Sequence, residues 1–285
     1  MKSQVTLFIL TAILKFVLAF DLQRGSWLEV AFLDVGQGDG VLITTPRKER
    51  ILIDGGSDYS ADFQLSEYFP LNNCRLDAVV LTHPHADHVG GLNRILDHCK
   101  VESAFYNSVD YESGLYETWE RKLKDKNIPT KGLVAGEKFR YGNVAFYSVW
   151  PTAKKVEKGF KNINNASIVL LMDYGDFEAF LTGDAEVEVL EYLYENWEFV
   201  SLRGLRGSKI NGKLEVYKAS HHGAENGMHE KLWRKLNPAV SVISVGEGNK
   251  FGHPGESVLE FFASEDALVR RTDIEGTVKI RYNSL

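Results

Sequence analysis

The chain has 285 residues, 44% of them hydrophobic and 25% charged, and its formal net charge is −6. That balance excludes a disordered polymer and a protein that coats nucleic acid through bulk positive charge. The length suits one α/β domain with a substantial core, and a net acidic chain can still carry a locally basic mouth.

The first nineteen residues are unlike the rest. Lys2 gives a short basic start, Val5 to Phe20 is mostly apolar apart from Lys15, and Val17-Leu18-Ala19 ends on the small residue that signal peptidase prefers. The run is too short for a comfortable membrane span. The expectation is a cleaved signal peptide over residues 1–19, with a secreted mature domain over 20–285 and no stable membrane insertion; a retained membrane anchor and a buried helix are the alternatives.

Leu28 to Val35 and Val41 to Thr45 read as strands around the glycine-rich turn Gly36-Gln37-Gly38-Asp39-Gly40. This is no dinucleotide loop, because a strand follows it where a helix is required. Arg50 to Ile53 is a third strand, ending at Asp54-Gly55-Gly56. A helix from Ser60 to Phe69 precedes the β-branched strand Asp77 to Thr82, and another helix starts near Val89. Cys74 and Cys99 flank these elements, near the starts of neighbouring parallel strands. A disulfide and a pair of buried thiols are both open to them.

Further on, Val144 to Trp150, Ser167 to Tyr174 and Phe177 to Leu181 are expected as strands, and Glu186 to Asn196 as a helix. Leu214 to Ala219 is a strand, Met228 to Leu236 a helix, Val240 to Val245 a strand and Glu256 to Phe262 a helix. Leu268 to Arg270 and Thr277 to Tyr282 close the sheets. Thr152 to Asn162 and Ser201 to Lys213 read as polar surface loops. Strands early in each half, with helices interleaved after, predict two packed sheets covered by helices outside.

Between the fourth strand and its helix stands His83-Pro84-His85-Ala86-Asp87-His88. Packing alone does not call for three histidines and an aspartate in one turn. Residues two apart on an irregular turn can face the same way, so His83 and His85 suit one metal while Asp87 and His88 face another. Imidazoles with one or two carboxylates suit zinc, and manganese or iron is tolerated. Pro84 stiffens the turn, and Gly90-Gly91 allow a close start for the following helix. His98 and His229 lack comparable placement and read as structural or exposed.

This motif after a strand resembles the signature of the metallo-β-lactamase superfamily. Phe32-Leu33-Asp34-Val35-Gly36-Gln37-Gly38-Asp39, Leu52-Ile53-Asp54-Gly55-Gly56, Asn164-Asn165-Ala166-Ser167, Leu181-Thr182-Gly183-Asp184-Ala185-Glu186, His221-His222-Gly223 and Gly252-His253-Pro254 look like its ComEC-like branch. That branch holds hydrolase domains of competence DNA-uptake proteins and related secreted phosphorylcholine esterases. The resemblance runs from about residue 28 to 282. It implies an αββα four-layer sandwich of two mixed sheets flanked by helices, and a hydrolase using two divalent ions, zinc first and manganese second.

By the same resemblance Asp54 braces the metal-binding turn and Asp184 bridges both ions. His253 joins Asp87 and His88 on the second ion. The superfamily's third histidine of the first ion is missing near Asn165, leaving His221 or His222 as its replacement, with His222 preferred. Asp87, His221 and Asn165 are the expected catalytic side chains, and Ser167 and Ser220 are further donors.

The implied reaction is hydrolysis of a phosphodiester, with a phosphorylcholine ester, a carboxyl ester, lactone or β-lactam as alternatives and a non-catalytic metal-binding protein behind them. Lys154, Lys155, Lys158 and Lys161, with Arg203, Arg206, Lys209 and Lys213, are either solvated loop charges or a cationic collar for DNA or a phosphorylcholine-bearing polymer. Phe160, Trp197 and Phe199 are the candidate aromatics for stacking single-stranded bases.

Overall fold

The structure, a computed structural model, describes residues 27–69, 73–197 and 214–283. The expected leader at 1–19, the loop bearing Arg203, Arg206, Lys209 and Lys213, and Phe199 lie outside the described residues.

Two seven-stranded sheets face each other. The first contains β1 (Leu28–Phe32), β2 (Val41–Thr44), β3 (Arg50–Ile53), β5 (Ala78–Val80), β7 (Ala104–Phe105), β8 (Thr130–Lys131) and β16 (Val278–Tyr282), in the order β16-β1-β2-β3-β5-β7-β8. The second contains β9 (Lys138–Tyr141), β10 (Val144–Trp150), β11 (Val169–Tyr174), β12 (Phe177–Leu181), β13 (Val216–Lys218), β14 (Val240–Ile243) and β15 (Val269–Arg271), in the order β15-β14-β13-β12-β11-β10-β9. Antiparallel and parallel pairs coexist in both sheets. A small parallel pair, β4 (Arg75–Leu76) with β6 (Lys100–Val101), stands beside the first.

The alternating apolar runs explain the layers. In β1, Leu28, Val30 and Phe32 face the second sheet while Ala31 faces outward. The alternation follows from the period of two along a strand. Leu170 and Met172 of β11 meet those side chains from the other side, and Val169 and Leu171 point to the opposite face.

Helices α1 (Ser60–Leu65), α2 (Ala86–His98) and α3 (Gly114–Asp125) cover the outer face of the first sheet. The outer face of the second sheet is covered by α5 (Val187–Glu195), α6 (Glu230–Leu236) and α7 (Glu256–Ser264), and two short helices, α4 (Ala153–Lys158) and α8 (Thr272–Glu275), lie in connections. The result is the αββα metallo-β-lactamase fold expected from the sequence. Among the described residues no helix is long and apolar enough to cross a membrane.

Some elements differ from expectation. The stretch at 152–162 is largely α4 rather than a loop, with Thr152 accepting a hydrogen bond from the Lys155 N–H as its cap. Helix α2 starts at Ala86, immediately after His85. Gly90 and Gly91 serve a different contact from the one expected. A Cβ on them would lie 2.2 Å from the Ser57 carbonyl oxygen and 1.8 Å from that of Gly55, so both are needed where α2 crosses the loop after β3.

Cys74 and Cys99 are joined in a disulfide across β4 and β6, closing a sequence separation of 25 residues. Loop-closure entropy for that span corresponds to about 3.5 kcal/mol. A Cys74→Ser/Cys99→Ser variant should lose close to that amount in urea unfolding, with a lower Tm. A loss under about 1 kcal/mol would show that the link does not constrain the unfolded chain.

Candidate metal centre

The turn after β5 is shaped by a carboxylate beneath it. Asp54, at the end of β3, is fully buried and adopts φ 57°. Its Oδ1 accepts the Thr82 N–H at 2.8 Å, and its Oδ2 accepts the Thr82 hydroxyl at 2.7 Å. The same Oδ2 is 2.9 Å from His88 Nδ1. One carboxylate therefore sets the strand end and aims the His88 Nε2 inward, as carboxylates behind ligating histidines do. The loop between β1 and β2 lies against this turn. Gly38, at φ 132°, comes so close that a Cβ would sit 2.2 Å from the Asp87 carbonyl oxygen.

Two donor groups meet at Asp184, in the turn after β12. In one, His83 Nε2 and His85 Nδ1 face each other at 3.1 Å, with Asp184 Oδ2 3.9 Å from His83 Nε2. In the other, Asp184 Oδ2 is 3.1 Å from His88 Nε2 and 3.3 Å from His222 Nε2, which itself lies 3.3 Å from Asp87 Oδ2. Ligand atoms around a tetrahedral zinc at about 2.0–2.1 Å are about 3.3 Å apart, so both spacings fit a divalent cation. His88 Nε2, His222 Nε2 and Asp184 Oδ1 are buried without a well-directed hydrogen bond. That leaves them free to act as donors to a cation.

The two groups are unequal. Asp87, His88, Asp184 and His222 make a set of four. His83, His85 and the shared Asp184 make three, the pattern of a site with an open position. His222 is therefore placed differently from expectation, beside Asp87 and His88 rather than with His83 and His85. The place expected for His253 is filled by it. The His253 ring is 5.5 Å from that of His221 and stacks on Phe251, outside the four-donor set.

His221 and His222 form a turn of left-handed residues, at φ 50° and φ 57°, followed by Gly223 at φ 77°. Each non-glycine residue held there costs about 1–3 kcal/mol, a strain typical of sites that must aim side chains. His222 is steadied by the Ser244 carbonyl oxygen, 3.0 Å from its Nδ1, and by Asp39 Oδ1 at 3.4 Å. His221 turns to the mouth, its Nδ1 3.0 Å from Asn226 Oδ1 and its Nε2 3.4 Å from Asn164 Nδ2.

Asn164, not Asn165, faces His221. Its Nδ2 donates to Glu186 Oε1 at 2.8 Å and its Oδ1 is buried without a partner. Asn165 instead braces the scaffold, accepting the Glu186 N–H at 3.0 Å and donating to Glu188 Oε2 at 3.2 Å. Ser167 sits behind His83 and accepts the Asp184 N–H at 3.0 Å, while the Ser220 hydroxyl donates to the Ala185 carbonyl. The candidate aromatics also fall elsewhere. Trp197 is buried against Phe180, and Phe160 packs on the same outer core. His229 caps α6, and His98 ends α2.

Burial pushes His83 well below the usual imidazole range, with the neighbouring His88 adding to the effect. His85 is lowered for the same reasons. Burial also opposes protonation of His88 and His222, but Asp184 and its partner carboxylates outweigh it and raise both well above the ordinary value. Burial would raise Asp184 and Asp87 too, yet the facing imidazoles hold both low.

One buried cation was not foreseen. Lys218, at the end of β13, is almost fully buried, with its Nζ 2.6 Å from Asp39 Oδ2 and 2.9 Å from the Gly183 carbonyl oxygen. It neutralises Asp39, which steadies His222. Truncating one partner of such a pair strands a buried charge, at a cost of about 3–5 kcal/mol. Lys218→Met should lose that much in urea unfolding, and adding Asp39→Asn should restore much of it. Equal instability in the single and double variants would mean that packing, not charge, is at stake.

Proton release offers a second check. His88 and His222, raised above the ordinary range, hold protons near neutrality, and a divalent ion must displace them. Zinc titration in buffers of different ionisation enthalpy should release about one to two protons near pH 7, with affinity climbing as pH rises. Binding indifferent to pH would show that these imidazoles are not donors.

The sequence model described as "Metallo-beta-lactamase superfamily" matches residues 33–159. ComE operon protein 3 of Bacillus subtilis is 28% identical over 273 residues, covering 90% of this chain and 33% of its own length. Recombination protein 2 of Haemophilus influenzae is 29% identical over 265 residues, covering 92% of this chain and 29% of its own. The chain thus spans about a third of the length of these curated relatives. Igni18, a metallo hydrolase from Ignicoccus hospitalis, superimposes with a TM-score of 0.54 at 15% identity, covering 90% of this chain and all of that one.

Proposed function

The chain belongs to the metallo-β-lactamase superfamily of metal-dependent hydrolases, on its ComEC-like side, and from that premise we propose that it hydrolyses phosphodiesters, with nucleic acid as the natural substrate class. The observation that carries the reading is the pairing of an open three-donor set with a complete four-donor set around one shared carboxylate, Asp184. When bound, two divalent ions there supply Lewis-acid polarisation of a phosphoryl oxygen and a water acidic enough to attack near neutrality.

The chain's own residues supply the rest. His83, His85, Asp87, His88, Asp184 and His222 hold the ions, and Asp54 and Ser167 fix the rings that do so. His221 stands at the mouth, partly exposed, with Asn226 orienting its Nδ1. Its Nε2, when it carries a proton, is the atom that would give that proton to the leaving oxygen, with Asn226 Oδ1 holding the other ring nitrogen. Lys154, Lys155 and Lys158 lie on α4 immediately before the Asn164 turn. Lys155 also pairs with Glu188 at 3.3 Å, and a cationic approach for a polyanion fits this placement.

Export is part of the same proposal. A leader over residues 1–19 and the Cys74–Cys99 disulfide both suit an oxidising compartment.

The test is a metal assay coupled to a substrate panel. Purified protein should carry about two zinc or manganese ions. It should cleave bis-p-nitrophenyl phosphate and single-stranded DNA, and leave nitrocefin and p-nitrophenyl phosphorylcholine nearly untouched. His221→Ala should slow DNA cleavage about 100-fold while slowing bis-p-nitrophenyl phosphate far less, because nitrophenolate leaves without a proton. Turnover of nitrocefin with all three phosphodiesters inert would overturn the reading in favour of a carboxyl-derivative hydrolase.

A further inference from the structure

A row of rings leads outward from the metal centre. His222 belongs to the four-donor set, the His221 ring is 6.1 Å from it, and the His253 ring is 5.5 Å from that of His221. Phe251 then stacks on His253 at 6.0 Å, with an interplanar angle of 18°. Phe251 is 55% exposed, a large apolar side chain left in water where the row ends.

The segment carrying Phe251 is held, not loose. Asn249 Oδ1 accepts the N–H groups of Phe251 and His253, each at 3.1 Å, and Asn249 Nδ2 donates to the carbonyl oxygens of Gly246 and His253. A single side chain thus fixes both ends of the turn that presents the ring. A fixed aromatic loses little further freedom when a partner arrives.

The charge beside the ring narrows the choice of partner. The Lys250 ammonium lies over Phe251, 5.3 Å from the ring centroid. A quaternary ammonium seeks an aromatic face too, and here it would meet a cation already in place. A nucleotide suits both groups: its base takes the ring face, and its phosphodiester receives the displaced ammonium.

We propose that Phe251, with His253 behind it and Lys250 beside it, is a stacking platform for a base of single-stranded nucleic acid flanking the phosphodiester at the metal centre. The proposal rests on the phosphodiesterase reading and names the side chains that would hold a base of that substrate. It transfers the stacking role from Phe160 and Trp197, which are occupied in the core, to a ring at the mouth.

The experiment measures affinity without needing turnover. Fluorescence anisotropy of a labelled single-stranded oligonucleotide, in the presence of a chelator, compares wild type with Phe251→Ala and Phe251→Trp. Stacking of one base predicts about a tenfold weaker Kd for Phe251→Ala, recovered in Phe251→Trp. Oligonucleotides carrying a run of abasic positions should bind wild type about tenfold more weakly and Phe251→Ala with little further loss.

Undetectable oligonucleotide binding by wild type, or equal Kd values for wild type and Phe251→Ala, would overturn the platform. So would a Phe251→Ala defect confined to p-nitrophenyl phosphorylcholine, which would assign the ring to choline. Loss of bis-p-nitrophenyl phosphate hydrolysis from the panel above fails the phosphodiesterase reading separately, since the anisotropy requires neither ions nor cleavage.

Discussion

A carboxylate withdrawn from water must be met by positive charge or by donors, and Asp184 is met from several directions at once. His88 and His222 face one of its oxygens, and Lys218 approaches the other at 3.9 Å. Its backbone is fixed as tightly. The Asp184 N–H goes to Ser167, and the Gly183 carbonyl oxygen accepts from both Lys218 Nζ and the His221 N–H. The turn after β12 therefore ties the first sheet's histidine turn to the second sheet's His221-His222 turn. The Ile168 N–H, donated to the Thr82 carbonyl oxygen, closes the same seam. Electrostatic demand at one carboxylate and the joining of the two sheets are met by the same contacts.

The site accepts local costs that a core would avoid. Asp54, His221 and His222 all occupy left-handed backbone conformations, and Asp39 and Lys218 form an ion pair out of reach of solvent. The compensation lies in packing, since the strands that end at the site run through three hydrophobic cores of the two sheets and their helices.

Much of this was legible in the chain where the signal is local. Apolar runs marked β3, β10 and β12 to the residue and β1 from its first residue, though β1 ends at Phe32 rather than Val35, and the His83 to His88 cluster announced itself by density. Less legible was anything that depends on which way neighbours point. Asn164 and Asn165 are adjacent on a short 3-10 turn, and only the folded chain shows that the first faces the mouth and the second the scaffold. His222 and His253 both follow strand ends, so spacing could not rank them. Nothing in the sequence singles out Lys218, because its partner Asp39 is distant along the chain. Helix α3 was missed although Tyr116, Trp119 and Leu123 mark its buried face, since those positions are embedded among charged residues.

The pairing of β16 with β1 brings Arg281 to Glu29, 252 residues away. A strand distant in sequence thus completes the sheet that β1 begins. Such non-local contacts slow folding, because the whole intervening loop must be closed before the pairing is rewarded. Until that happens β1 presents one unpaired edge, and its apolar face has no cover from Val278. During synthesis, the first sheet must therefore wait for the segment that carries β16. In that interval an open strand edge is the point at which two nascent copies would most readily pair wrongly.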